Sequence, residues 1–277
     1  FRLIGMDSQD LSGFAVSDAG DVNGDGIADL LIGARGAPGG DFVGHSYVVY
    51  GSADPFAAVF DLSTLDGTNG FVLKGRVDGE GNNDWAGYSV STAGDINGDG
   101  RPDLLIGAPR ATFAPTGENA GKAYVVLSNE DGFAAEINLE DLNNDAAPFG
   151  FVIRGEAAQD VAGWSVSNAG DVNGDCIDDL IIGAYQADPN NTNSGSAYVI
   201  YGSRLGFPDS IDLDQLNWQN GFRIDGVSGG DWAGFSVSGA GDINHDGIDD
   251  VMIGAPFDDS SGSDTGSAYV VYGEHRP

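Results

Sequence analysis

One unit of sequence occurs four times in this chain, and that repetition limits the fold more than any other feature. GDVNGDGIADLLIGA begins at Gly20 and returns as GDINGDGRPDLLIGA from Gly94, GDVNGDCIDDLIIGA from Gly170 and GDINHDGIDDVMIGA from Gly241, at spacings of 74, 76 and 71 residues. A small alternating run precedes each copy (SGFAVSDA, AGYSVSTA, AGWSVSNA, AGFSVSGA). After a loop, HSYVVYG, KAYVVLS, SAYVIYG or SAYVVYG follows. GFVLKG, GFVIRG and GFRIDG close three of the units, and Phe1 opens a matching FRLIG. Such runs, rich in Val, Ile, Tyr and Phe and bounded by Gly, Asn, Asp or Pro, predict strands.

Four short strands cannot bury both faces of their own sheet, so neighbouring units must stack, and radial stacking of four-stranded sheets gives a β-propeller. The expected fold is therefore all-β, with sixteen strands in four four-stranded blades. The first strand of each blade carries small residues beside one aromatic (Phe14, Tyr88, Trp164, Phe235), which suits a narrow axis. FRLIG matches the fourth strand, while the last unit ends on its third at Tyr272. The expected closure therefore pairs the N-terminal strand with the last blade, bonding Phe1 to Gly5 alongside Ser267 to Tyr272. The other reading is a segment cut from a longer array. Phe1 lies inside a strand-like run, so a mature or trimmed N-terminus is expected.

The chemistry sits in the turn between first and second strands, where D-x-N-x-D-G-x-x-D recurs with one exception, Cys176 in place of glycine. The sets are Asp21, Asn23, Asp25 and Asp29; Asp95, Asn97, Asp99 and Asp103; Asp171, Asn173, Asp175 and Asp179; Asp242, Asn244, Asp246 and Asp250. These side chains offer hard oxygens, and the seventh position (Ile27, Arg101, Ile177, Ile248) can add a carbonyl, a donor set that suits Ca²⁺. Four Ca²⁺ sites are expected. An EF-hand is excluded, because position 12 is Ile32, Ile106, Ile182 or Ile253 where that loop needs Glu. Cys176 stands where a sharp turn favours positive φ, so the third site is expected to be strained or weaker.

The units resemble FG-GAP repeats, the blades of the integrin alpha-subunit propeller and of bacterial surface and secreted proteins. The GAP half of that signature stands at Gly107-Ala108-Pro109 and Gly254-Ala255-Pro256, and is altered to Gly33-Ala34-Arg35 and Gly183-Ala184-Tyr185. The aromatic half occurs in reversed order as Gly13-Phe14, Gly87-Tyr88, Gly163-Trp164 and Gly234-Phe235. The resemblance implies one propeller domain over 1–277, with blades at about 6–75, 76–155, 156–226 and 227–277 plus 1–5, and calcium at the loop residues named above. Integrin propellers have seven blades, so no receptor role or integrin partner is carried over.

With 43 acidic against 11 basic residues the formal charge is −32, which repels nucleic acid and anionic membranes. No apolar run reaches the ~18 residues of a membrane helix. The lone Cys176 has no partner for an internal disulfide. No G-x-S-x-G or H-E-x-x-H motif occurs, and no enzymatic activity is expected. The expected function is an adhesion or protein-interaction module, secreted or on the cell surface and of bacterial source, with a lectin-like binder of extracellular polysaccharide as the alternative. The loops joining second and third strands (RGAPGGDFVGH, PRATFAPTGENAGK, YQADPNNTNSGS, PFDDSSGSDTGS) vary most and mark the expected binding face, where Phe113, Tyr185 and Phe257 could support a sugar. Asp10, Asp84, Asp160 and Asp231 are read as turn-forming acids, with a ligand-binding role as the alternative. Trp85 and Trp232 are read as packing between blades. Asp259, Ser261 and Ser263 spell D-x-S-x-S, without the α/β sheet that an adhesion site of that pattern needs. His45, His245 and His275 fall in no motif.

Overall fold

A computed structural model describes residues 1–76, 83–113, 116–129, 132–143 and 149–276. Ala114 and Pro115 of the second variable loop lie outside the described residues. The architecture is all-β, apart from short 3₁₀ turns such as Leu62–Thr64 and Leu213–Gln215. The first blade contains β2 (Ala15–Gly20), β3 (Asp29–Ala34), β4 (His45–Val49) and β6 (Gly70–Lys74). The second contains β7 (Ser89–Gly94), β8 (Asp103–Ala108), β9 (Lys122–Val126) and β11 (Gly150–Arg154). In the third are β12 (Ser165–Gly170), β13 (Asp179–Ala184), β14 (Ser196–Ile200) and β16 (Gly221–Asp225), and in the fourth β17 (Ser236–Gly241), β18 (Asp250–Ala255) and β19 (Ser267–Val271). Within each blade successive strands pair antiparallel, in the order that the hydrophobic alternation predicts.

The cores lie between blades. Val22, Leu31 and Val48 of the first blade meet Val90, Leu104 and Ile106 of the second, and equivalent sets join the second to the third and the third to the fourth. β8 and β13, flanked by blades on both sides, are buried along their whole length and are apolar after the opening Asp103 and Asp179. The glycine of each GA pair permits close approach. A Cβ at Gly33, Gly107 or Gly183 would stand 2.1, 2.2 or 2.0 Å from the carbonyl oxygen of Gly87, Gly163 or Gly234 in the next blade.

Two expectations change. The sixteen expected strands are joined by three further short ones, in the segments FDLSTL, INLEDL and IDLDQL between third and fourth strands: β5 (Val59–Asp61), β10 (Glu136–Asn138) and β15 (Ser210–Asp212). They pair parallel with strands of the preceding unit, β10 with β6 and β15 with β11. The N-terminal strand β1 (Arg2–Ile4) does the same with β5 and does not join the last blade. Local contacts hold it there: Phe1 stacks on Phe56 at 4.4 Å, the Arg2 amide donates to the Ala58 carbonyl at 3.0 Å, and Leu3 packs against the core of the first blade. The inner strands β2, β7, β12 and β17 pack side by side in that order, and no comparable packing joins β17 to β2 among the described residues. The four blades form an open arc in place of the expected closed ring.

Candidate functional site

The four acidic turns share one internal geometry. In the first, the Asp25 amide donates to both Asp21 Oδ1 (3.0 Å) and Asn23 Oδ1 (2.9 Å), the Gly26 amide to Asp21 Oδ2 (2.7 Å), and the Ile27 amide to Asp25 Oδ1 (2.8 Å). Asp95, Asn97 and Asp99 repeat this pattern, as do Asp171, Asn173 and Asp175 and again Asp242, Asn244 and Asp246. Two oxygens thus meet at one amide nitrogen, and the chain folds tightly around them.

The ninth residue behaves differently from its neighbours. Asp29, Asp103, Asp179 and Asp250 are fully buried, and both carboxylate oxygens accept backbone amides. For Asp103 the donors are Ile96 (3.2 Å) and Ser128 (2.7 Å), so this one side chain ties its turn to the end of the third strand. Asp29, Asp179 and Asp250 bridge the same two places in their blades. Burial pushes Asp29 up to about 6, Asp103 to about 7 and Asp179 to about 8; the backbone donors oppose this, and the neighbouring turn carboxylates add to it.

In donor type these turns fit a hard cation, since each offers carboxylates, an amide oxygen and a carbonyl. Every accepted hydrogen bond still leaves lone pairs on the carboxylates. Among the described residues, however, no three Asp, Glu, His or Cys side chains stand together as a metal-holding group.

Cys176 has φ of +63°, close to Gly26, Gly100 and Gly247 at +87° to +90°, and its amide still donates to Asp171 Oδ2 at 2.8 Å. The turn keeps its shape at the cost of a left-handed side-chain-bearing residue. A second such substitution had no signal in the motif. His245 has φ of +63° where Gly24, Gly98 and Gly174 occupy the same turn position.

The four acids before the first strands are buried, and three of them order turns. Asp10 Oδ2 accepts the Asp7 amide (2.9 Å), Asp160 the Ala157 amide (3.1 Å) and Asp231 the Ser228 amide (3.2 Å). Each of the four acids precedes a left-handed residue: Leu11, Trp85, Val161 or Trp232, with φ between +56° and +59°. Side chains other than glycine resist that conformation, and the Asp10, Asp160 and Asp231 contacts brace it. Asp259 of the D-x-S-x-S run is likewise used locally, accepting the Asp264 amide at 2.7 Å.

At the end of the blades opposite the acidic turns, aromatic rings form a continuous belt. Phe14, Tyr88, Trp164 and Phe235 follow one another along the inner strands at centroid separations of 5.0, 4.5 and 5.8 Å. Tyr185 lies 4.6 Å from Trp164 and 4.9 Å from Trp232, and Trp232 lies 4.6 Å from Phe257. Trp85 and Trp232 do pack between neighbouring blades, as the repeat comparison predicts. Arginines enter the belt at the altered GAP position and beside it: Arg35 lies 4.3 Å from the Phe14 ring and 4.7 Å from Trp85, and Arg110 lies 4.2 Å from Trp85 on its other neighbour. An open pocket of about 360 Å³ adjoins them, lined by Phe42, Trp85, Arg110, Thr112, Glu118 and Asn119. Phe113 stands apart from the belt, with Lys122 5.2 Å from its ring.

Comparison with known proteins decides the family. The FG-GAP repeat matches at residues 15–49, 86–126, 162–200 and 233–271, one match for each blade. The chain belongs to the FG-GAP repeat family. It is 28% identical over 254 residues to human phosphatidylinositol-glycan-specific phospholipase D, covering 88% of this chain and 26% of that protein. To integrin alpha pat-2 of Caenorhabditis elegans it is 29% identical over 262 residues, covering 89% of this chain and 18% of the relative. With integrin alpha-PS2 of Drosophila melanogaster the identity is 29% over 243 residues, covering 85% of this chain and 14% of the relative. The chain thus spans about a quarter or less of these relatives' lengths. FG-GAP arrays therefore occur both in a protein named as an enzyme and in proteins named as integrin subunits. No helix among the described residues is long and apolar enough to cross a membrane.

Proposed function

We propose that this FG-GAP array is a non-catalytic interaction module, secreted or displayed at a cell surface, that binds a protein partner through the aromatic and arginine face and is stabilised by calcium in its four acidic turns. The observation that carries the reading is the division of the molecule into two unlike ends. At one end the same oxygen-rich turn recurs in every blade; at the other the loops differ, and rings, arginines and an open pocket meet. Aromatic and arginine side chains dominate binding energy at protein interfaces, the rings because they bury large areas with little loss of rotamer freedom and arginine because its planar fork stacks and donates several directed hydrogen bonds. The expected cation ligands are the side chains of Asp21, Asn23 and Asp25, the Ile27 carbonyl and the remaining lone pairs of Asp29, with equivalents in the other three turns. Bound calcium would supply positive charge where three carboxylates lie on one short turn. The turn residues themselves fix the hairpin and exclude water from the buried ninth-position carboxylate. Millimolar extracellular calcium suits sites of this kind.

Screening the purified chain against arrays of extracellular-matrix proteins and glycans, with calcium and with chelator, tests the assignment. The expected result is a protein hit that Trp85→Ala and Arg110→Ala each weaken. Binding confined to glycans and sensitive to Phe257→Ala would replace it with the lectin reading. Binding indifferent to all three substitutions would remove the face from consideration.

A further inference from the structure

The acidic turns are tied to one another by their eighth residues, which reach back to the turn of the preceding blade. Asp178 of the third turn accepts the Asp95 amide on Oδ2 at 2.7 Å, and the Asp178 amide donates to the Asp95 carbonyl at 3.4 Å. Asp249 of the fourth turn does the same for the third: its Oδ2 accepts the Asp171 amide at 3.0 Å, and its amide donates to the Asp171 carbonyl at 3.0 Å. Asp95 and Asp171 are the first expected ligands of their turns. Each reciprocal pair of bonds therefore holds a member of one ligand set from the next blade. Asp178 in turn lies between Ile177, the expected carbonyl donor of its own turn, and the buried Asp179.

Glycine makes room for these contacts. Gly94 and Gly170, one residue before Asp95 and Asp171, have φ of +69° and +72°, and a Cβ on either would stand 2.2 Å from the Oδ2 of Asp178 or Asp249. The junction between the first and second turns is built differently. Its eighth residue is Pro102, whose Cγ would lie 2.5 Å from a Cβ at Gly20. Proline has neither an amide hydrogen nor a side-chain acceptor, so this pair of bonds is not made there. Two junctions thus carry an aspartate bridge, and the first carries a proline in its place.

We propose that Asp178 and Asp249 are positioning residues that couple the acidic turns, so that calcium binding at the second, third and fourth turns is cooperative while the first turn binds outside that coupling. The inference rests on the calcium reading given above. Ordering the third turn fixes residues 177–179 as one segment, and a fixed Asp178 orients Asp95 before a cation reaches the second turn. Less conformational freedom is then lost when that turn fills. The bridging carboxylate also puts negative charge where two turns meet, which opposes repulsion between their cations; salt screens that repulsion over about 8 Å.

Amide NMR of the whole chain titrated with calcium tests this. Each turn reports through its sixth residue, Gly26, Gly100, Cys176 or Gly247, whose amide donates to the first aspartate of the same turn. The expected result is that Gly100, Cys176 and Gly247 shift together, more steeply than simple saturation, while Gly26 follows a simple saturation curve of its own. Asp178→Ala should separate Gly100 from Cys176 and weaken calcium at the second turn about fivefold or more, and Asp178→Asn, which keeps an acceptor oxygen, should restore most of the coupling. Asp249→Ala should likewise separate Gly247 from Cys176. Asp175→Ala, which removes a donor from the third turn, should move the Gly100 midpoint when Asp178 is present and leave it in place in the Asp178→Ala background, a dependence that a merely structural role for Asp178 would not produce. Four independent simple curves in the unaltered chain, a Gly26 curve that moves with the other three, or a Gly100 curve that still follows Cys176 in Asp178→Ala would each overturn the proposal. Calcium-induced shifts with independent curves leave the calcium reading standing, whereas the absence of any shift at all four amides would overturn both.

Discussion

The two ends of the blades obey different rules. Around the acidic turns the same hydrogen bonds are made four times with nearly the same lengths, from Asp25 and Asp99 to Asp175 and Asp246. Around the aromatic belt no loop copies another: Arg35, Arg110, Tyr185 and Phe257 occupy related places with three different chemistries. A feature that every blade needs in order to fold is repeated in every blade, whereas recognition needs a surface that is not symmetric. The proposed function gives stability to the first end and specificity to the second, and substitutions at each can break it.

The largest single-site effect is expected at the buried ninth position. Asp103→Ala would strand the amides of Ile96 and Ser128, each costing roughly 1–3 kcal/mol, for a loss of about 2–6 kcal/mol in denaturant unfolding. Asp99→Ala, at an exposed turn position of the same loop, should cost less than about 1 kcal/mol in chelator and more when calcium is present. Equal losses for the two variants in chelator would break the distinction between the buried strut and the exposed donors.

A smaller effect with a pH signature is expected at Asp160, whose carboxyl burial pushes up to about 6 from an ordinary value of 3.8. A raised carboxylate favours the protonated form in the folded state. Its contribution is therefore most favourable below about pH 4, declines as pH rises to about 6, and is constant beyond. Asp160→Asn should remove this decline and stabilise the protein by about 1 kcal/mol at pH 7, after discounting for partial solvent screening, with little gain at pH 3.5. Melting curves at the two pH values check the sign, and a gain at pH 3.5 equal to that at pH 7 would refute the cause.

The smallest effect is expected at Cys176. Cys176→Gly relieves a left-handed side chain and restores the residue of the other turns, for a gain of about 0.5–1 kcal/mol after the extra entropy of the unfolded chain is counted. A loss would show that the thiol makes a contact the backbone angle does not reveal.

Much of this architecture was legible because the repeat multiplied each weak signal. Strand alternation, turn residues and the variable loops each recur, so the blade order and the position of the acidic turns followed from residues alone. What escaped depended on a partner distant in sequence. FRLIG has the same alternation whether it pairs with β19 or with β5, and the Phe1 and Phe56 stack, the Ala58 carbonyl and the packing of Leu3 select the second. The strands β5, β10 and β15 are three residues long, too short for periodicity to register. Nothing in the motif distinguished the ninth-position aspartates from the others, because their difference is burial beneath the turn and a bond to a third strand more than twenty residues away.

The central claim, that the repeated end stabilises through calcium, is tested most directly by calorimetric titration of the metal-free chain paired with its melting curve. The account predicts four calcium ions per chain and, at ten times Kd, about 1.4 kcal/mol from each site, together roughly 5 to 6 kcal/mol of stability that chelator removes. No heat of binding, with a melting temperature that is the same in calcium and in chelator, would contradict it.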